Sequence, residues 1–274
     1  MPADSATFAG NRAHGHISLS AAVTLGVSRR AHVHEAGSLR VRFPNVAPGG
    51  ALEAVIVNTA GGMTGGDRFD VDIAVGEGAR LTVTTAAAEK IYRSLGPNTA
   101  VSMKLEVGAR GMLAWLPQET ILFDRMRLRR TIEADLARGA QLIIAEALVF
   151  GRSAMGERVA RGQLFDRWRI RVNGALVFAE ALRLDGTIAE NLAQRATAAG
   201  GAAIASVLKI PASDADLSAI RASEGEFAGE VGVSALNGLA LARLVAADGA
   251  ALRRDLIGVL TAFGAAPLPR LWLN

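Results

Sequence analysis

The chain has 274 residues, 50% of them apolar and 20% charged, which marks a core-forming globular sequence and excludes a disordered one. There is no cysteine, so disulfides, thiolate catalysis and sulfur-ligated metals are excluded. The 30 basic and 26 acidic residues leave a formal charge of +4, too small a surplus to argue for a nucleic-acid partner.

Residues 1–14 read as a flexible arm. They lack a basic start followed by an apolar run, so no signal peptide is expected. No apolar stretch reaches the roughly 18 residues that span a bilayer, and the expected location is the cytoplasm. Residues 15–274 read as a single domain, strand-rich over 15–205 and mixed with helices over 206–274. In FDVDIAV (69–75), Phe69, Val71, Ile73 and Val75 share one face and the aspartates the other. VSMKLEV (101–107) and TIEADLA (131–137) alternate in the same way. One apolar and one polar face is the pattern of half-buried strands of antiparallel type.

A loose repeat links these strands. VDIAVGEGARLTV, MKLEVGARGMLAW, IEADLARGAQLII and RIRVNGALVFAE each run strand, glycine turn, strand. Their restarting leucines, Leu81, Leu113, Leu142 and Leu176, are spaced by 32, 29 and 34 residues. A period near 30 residues suits stacked hairpins or strands coiled in two layers, and an ordinary meander is the alternative. Further on, Ser213 and Asp214 cap a short helix through Arg221. VGVSALNG and LALARLV fit strand and helix equally. Asp248 opens a helix whose Leu252, Leu256, Ile257 and Leu260 form one stripe and which Gly264 ends. PLPRLWLN closes the chain in extended form.

Candidate sites are few. The glycine loop TAGGMTGGD (59–67) lies between strands, not between a strand and a helix, so it reads as a tight turn and not as a phosphate cradle. No GxSxG is present, and no histidine follows residue 34. The histidines form two H-x-H pairs, His14 with His16 and His32 with His34. On neighbouring strands these would gather imidazoles for a metal, with surface histidines the alternative. Arg125, Arg127 and Arg129, and Arg167, Arg169 and Arg171, form basic stripes that suit partner binding or pair with Glu133 and Asp135 across the sheet.

The strongest chemical signal is a set of acids in apolar rows. Glu146 lies in the row of Leu142, Ile144, Leu148 and Phe150, on a strand that is apolar on both faces. Glu180 sits in the row of Leu176, Phe178, Leu182 and Leu184, and Glu119 in that of Ile121 and Phe123. A buried unpaired carboxylate costs several kcal/mol, about as much as a large share of total stability. Each must therefore be paired with arginine, protonated, hydrated or set beside a cation. Either arginine pairing inside the stack or a hydrated passage for a divalent cation satisfies that requirement.

NTAGGMTGGD, LTVTTAAAEKIYRS, WLPQETILFD, GRSAMGE and the closing PLPRLW occur in this order, and with them the chain resembles the urease accessory protein D family over roughly residues 15–274. It departs from the family pattern at Ala86, where glutamine is usual, and at Glu89, where threonine is common. The resemblance implies a mainly β fold of stacked, coiled two-layer sheets, β-helix-like, with a few helices near the C-terminus. It implies a maturation chaperone and no enzyme. The implied partners are urease apoprotein, accessory protein F and, through F, the GTPase accessory protein G, with pairing of two copies inside the complex. No nucleic acid or membrane partner is expected, and no tightly bound cofactor. Nickel (Ni2+) would be a transient cargo crossing an internal passage. Glu119, Glu146 and Glu180 are the expected path carboxylates. Asp67, Glu157 and Asp124 come from family-like motifs and would serve the path or hold turns; His32 and His34 are the weaker metal candidates. A β-scaffold without a metal role and a β-helical polysaccharide-active enzyme are the alternatives, the latter poorly served by 5% aromatic content.

Overall fold

A computed structural model describes residues 12–45, 50–152, 155–265 and 267–273. Of the expected N-terminal arm, residues 1–11 lie outside the described residues, as do Ser153 and Ala154 of GRSAMGE. In chain order the first strands are β1 (His14–Thr24), β2 (Val27–Gly37), β3 (Leu39–Arg42), β4 (Leu52–Asn58), β5 (Arg68–Val75) and β6 (Arg80–Thr85). There follow β7 (Glu89–Ile91), β8 (Thr99–Val107), β9 (Met112–Trp115), β10 (Thr120–Leu122), β11 (Arg127–Leu136) and β12 (Gln141–Phe150). Then come β13 (Gly162–Val172), β14 (Ala175–Gly186), α1 (Ile188–Ala193), β15 (Ala203–Ile210), α2 (Asp214–Ala222), β16 (Glu230–Leu236), β17 (Leu239–Ala246) and α3 (Gly249–Ala262).

Two sheets stack face to face. The first has the order β14-β13-β11-β8-β5-β1-β2; the second runs β16-β17-β15-β12-β9-β6-β4-β3, with β10 and β7 paired beside β12. Three glycine-bearing turns, at 76–79, 108–111 and 137–140, each carry the chain from the first sheet to the second. The long connections bring it back. The strands β5, β8, β11 and β13 therefore lie parallel, as do β4, β6, β9 and β12. This corrects the antiparallel expectation: a half-polar pattern arises because only the inner face of the first sheet is covered, whatever the strand direction. The turns also hydrogen-bond to one another, Gly108 N to Val75 O at 2.7 Å and Gln141 N to Gly111 O at 2.8 Å. The result is a coiled, β-solenoid-like stack.

The restarting leucines mark the coil. Leu52 stands beside Leu81, Leu81 beside Leu113, and Leu113 beside Leu142, and Ile210 extends the row. The fourth copy of the repeat breaks the pattern. Its turn is only Asn173-Gly174, both at positive φ, and β13 and β14 form an antiparallel hairpin within the first sheet. Two residues of that conformation reverse a chain on the spot and leave no length to reach the other layer. VGVSALNG and LALARLV are settled as the hairpin β16–β17, around the similar turn Asn237-Gly238.

The main core fills the space between the sheets. A second core lies on the far face of the second sheet, where Ile143, Ala145 and Ala147 meet Leu217, Ile220, Leu252, Leu256 and Phe263. Sheet, sheet and helices thus make three layers, which is why β12 is apolar on both sides. Ser213 caps α2 in a reciprocal arrangement with Asp216, and Asp248 caps α3 by accepting from Ala251 N at 2.8 Å. The chain end is not extended, as expected, but turns through a 3-10 segment at Arg270–Trp272. Trp272 is buried, and its indole N–H donates to Leu116 O at 3.0 Å, so packing decides that segment's conformation.

Candidate functional site

The turns at one edge of the coil are short. The opposite edge carries the long connections, 59–67, 86–98, 116–126 and 151–161, and these hold nearly all the unusual sequence: the glycine loop, EKIYRS, PQETILFD and GRSAMGE. The glycine loop is a turn between strands, with Gly61, Gly62 and Gly66 at positive φ. A Cβ at Gly62 would lie 2.4 Å from the Tyr92 ring, so glycine is required there. Asp67 holds the loop, accepting from Ala13 N at 2.8 Å and from Thr64 N at 2.7 Å. Asp124 accepts from Ala160 N and Arg161 N, both at 2.9 Å. Glu157 takes Arg152 at 2.6 Å, and that guanidinium also covers Phe123.

Inside the stack, charge is concentrated at one point. Arg130 of β11 lies in the inward row of Leu128 and Ile132, and Asp166 of β13 is its register neighbour. Arg130 Nε donates to Asp166 Oδ1 at 3.1 Å and Nη2 to Oδ2 at 2.5 Å. Its Nη1 crosses to the other sheet and donates to Glu146 Oε2 of β12. The indole N–H of Trp115 on β9 donates to Glu146 Oε1 at 2.8 Å. Side-chain exposure of Arg130, Glu146 and Asp166 is 4%, 4% and 6%. One guanidinium thus faces two carboxylates, which leaves one negative charge in excess when both are ionised. Burial pushes the Glu146 carboxyl above its ordinary range; Arg130 and Trp115 oppose that push, and Asp166 adds to it. Burial also works against the charge on Arg130, but the two carboxylates outweigh it and hold the guanidinium protonated more firmly than usual.

Two cavities meet at this cluster. The first, about 240 Å³, is lined by Asn58, Glu89, Trp115 and Gln118 among others, and by Arg130 and Glu146. The second, about 150 Å³, is lined by Asp166, Trp168, Glu180, Ser206 and Arg243, and again by Arg130 and Glu146. Those two side chains are the shared wall. Each cavity contains polar atoms that the protein does not satisfy: Gln118 Nε2, in a side chain that is itself buried, and Glu180 Oε2. Buried groups of this kind are normally met by water. Glu89 accepts from Asn58 Nδ2 on both of its oxygens at 3.0 Å and from Lys90 N at 3.1 Å, and burial raises its pKa against that help.

All three acids expected in apolar rows carry an arginine. Glu146 has Arg130. Glu180 of β14 has Arg243 of β17, at 2.9 Å, a second bridge between the sheets. Glu119 has Arg253 of α3, at 2.8 Å. Arg253 also donates to Gln118 at 2.7 Å and Leu271 O at 3.0 Å and lies over Trp272, so this pair fastens the chain end. Glu146 and Glu180 line the second cavity; Glu119, Asp67, Asp124 and Glu157 line neither.

The histidine pairs lie on the adjacent strands β1 and β2. His16 and His34 have ring centroids 5.6 Å apart, and His16 Nε2 is 2.9 Å from Asp72 Oδ2. His14, His32 and His34 are exposed. Among the described residues, no group of three or more His, Asp or Glu side chains is set to hold a metal ion. Of the arginine stripes, Arg167 meets Glu133 at 3.5 Å, Arg129 covers Phe165, Arg127 reaches Asn98 at 3.4 Å, and Arg125 lies 3.7 Å from Asp124. Arg169 and Arg171 stand half-buried on the outer face of β13. Among the described residues no helix is long and apolar enough to cross a membrane.

Residues 13–273 match the family model described as UreD urease accessory protein. The chain is 55% identical to a urease accessory protein UreD of Rhodopseudomonas palustris strain HaA2, over 99% of this chain and 97% of that one. It is 53% identical to one of Bradyrhizobium diazoefficiens, over 98% and 97%.

Proposed function

The chain belongs to the UreD family of urease accessory proteins and has a role in urease maturation, and from that premise we propose that it is a non-catalytic scaffold with an internal route for nickel. It docks urease apoprotein and accessory protein F in the cytoplasm, and through F the GTPase accessory protein G, so that nickel crosses between them shielded from bulk water. The observation that carries this reading is the pair of cavities on either side of Arg130 and Glu146. Acids recur along them: Glu89 in the first, Glu146 and Asp166 at the junction, Glu180 in the second. Isolated oxygen ligands without sulfur bind a borderline divalent ion weakly enough to release it. The exposed Arg125 and Arg129 and the half-buried Arg127, Arg167, Arg169 and Arg171 are the proposed partner contacts.

A second reading has its own support. A guanidinium on each of the three glutamates is what purely structural ion pairs require, and the protein would then be a docking scaffold with no cation route. Urease activation with Glu146→Gln and Glu180→Gln chains that still bind F and urease separates the two. The route predicts that nickel loading slows by roughly tenfold in each, the factor that about 1.4 kcal/mol of lost ligand energy represents. Normal activation by both removes the route and leaves the scaffold.

A further inference from the structure

We propose that Arg130 is the gate of this route, a cationic plug that occupies the junction in place of a cargo cation and must let go of Glu146 before one can pass. The proposal rests on the route reading and goes beyond it by naming the barrier. Three observations carry it. Arg130 and Glu146 are the two side chains common to both cavity linings, together forming the wall between them. The grip of Arg130 is unequal: two hydrogen bonds join it to Asp166, its neighbour in the same sheet, and one joins it to Glu146 across the gap. And the cluster has two carboxylates for one guanidinium, so an acid freed from Arg130 has a negative charge to offer a further cation while the guanidinium stays paired with the other.

These features define a specific motion. With Asp166 as the anchor, the single bond to Glu146 breaks and the guanidinium stays paired. Glu146 Oε2 is then free towards the cavities, while Oε1 stays fixed by Trp115. The freed carboxylate takes the cargo cation, and the returning guanidinium expels it. Such an exchange lets a buried acid handle a cation without ever being left alone, the state that is most costly. A neutral residue at position 130 would leave the junction open and the acids permanently available.

Trp115 supplies the readout, because its indole N–H reports directly on Glu146. In full-length protein labelled with 15N, zinc chloride is the probe, and the indole resonances of Trp115 and Trp272 are followed, the latter buried in the other core as the control. In wild-type protein, the Trp115 signal should stay unmoved up to millimolar zinc. In Arg130→Met it should shift saturably, with apparent affinity at least roughly tenfold tighter, and the response should vanish in Arg130→Met with Glu146→Gln. Arg130→Lys keeps the charge but cannot bridge both acids, and should respond between the two. A Trp115 response in wild type equal to that of the variants overturns the gate, as does a folded Arg130→Met that ignores zinc. Should Arg130→Met not fold, Arg130→Lys carries the test, since it keeps the charge: a zinc response of Trp115 in it that wild type lacks supports the gate, and no difference between the two overturns it. Failure of the route is a different result: normal urease activation by the Glu146→Gln and Glu180→Gln chains.

Discussion

Arg130→Met is expected to cost about 3–5 kcal/mol of folding stability near neutral pH, against about 1 kcal/mol for Glu146→Gln, when the two are compared by urea denaturation. The asymmetry follows from the charge count of the buried cluster. In the wild-type protein one guanidinium meets two carboxylates. Removing Arg130 leaves two acids facing each other with no counter-charge. Glutamine at 146 leaves Arg130 bonded bidentately to Asp166 in a neutral pair, and its amide oxygen can still accept from Arg130 or Trp115. The same count sets the pH dependence. The folded-state pKa of Glu146 is raised, so the native protein holds this proton in a window where the unfolded chain has lost it. Stability therefore falls as pH rises from the ordinary carboxylate range through the raised value. Glu146→Gln should flatten that fall in part, Glu89 and Glu53 keeping the remainder because burial raises them as well. An unchanged slope in Glu146→Gln, or equal costs for the two substitutions, would show that the cluster is not organised around a charge deficit.

The coil was legible because its determinants are local. Alternation in FDVDIAV, VSMKLEV and TIEADLA places the inner rows, and leucines after glycine turns mark where each strand restarts in the second sheet. Strand direction was not legible, since a half-covered parallel sheet and an antiparallel one leave the same alternation. The fourth repeat carried its own signal in Asn173-Gly174, a dipeptide made for a two-residue reversal, but resemblance to the other copies masks it. The chain end misled for a different reason: PLPRLWLN has extended-chain composition, and only the burial of Trp272 against Leu116, far away in sequence, bends it.

Half of the charged junction was legible, and by a rule that reaches the rest. Glu146 stands out as an acid in an apolar row. By the same parity Arg130 shares the row of Leu128 and Ile132, and Asp166 that of Leu164 and Trp168. Attention to the arginine stripes Arg125-127-129 and Arg167-169-171 passes over both, because their neighbours at odd positions look like the significant ones. Which buried arginine serves which acid is beyond reach of the pattern: Arg130 and Glu146 belong to different sheets, and Arg253 reaches Glu119 from a helix 134 residues away. Asp67 and Asp124 look like site residues because they are polar and motif-borne; backbone N–H groups that need an acceptor are the cause of both.

Leu113→Ala should destabilise the protein by about 2–5 kcal/mol, and Leu176→Ala by less than about 0.5 kcal/mol, although the two leucines restart equivalent copies of the same sequence repeat. Leu113 is fully buried in β9, a strand of only four residues, with Leu81 on one side and Leu142 on the other. Truncating it opens a void in the centre of the ladder, where the parallel neighbours are fixed by their own hydrogen bonds and cannot close in. Leu176 follows the Asn-Gly turn, which keeps it in the first sheet. A register shift between Ile170 and Arg171 sets it opposite Arg171, and it is 45% exposed. The comparison by thermal or urea unfolding tests whether turn length, and not the leucine, decides which layer the next strand joins. Equal costs would mean that the fourth copy packs as the other three do, and that the hairpin β13–β14 is not how the coil ends.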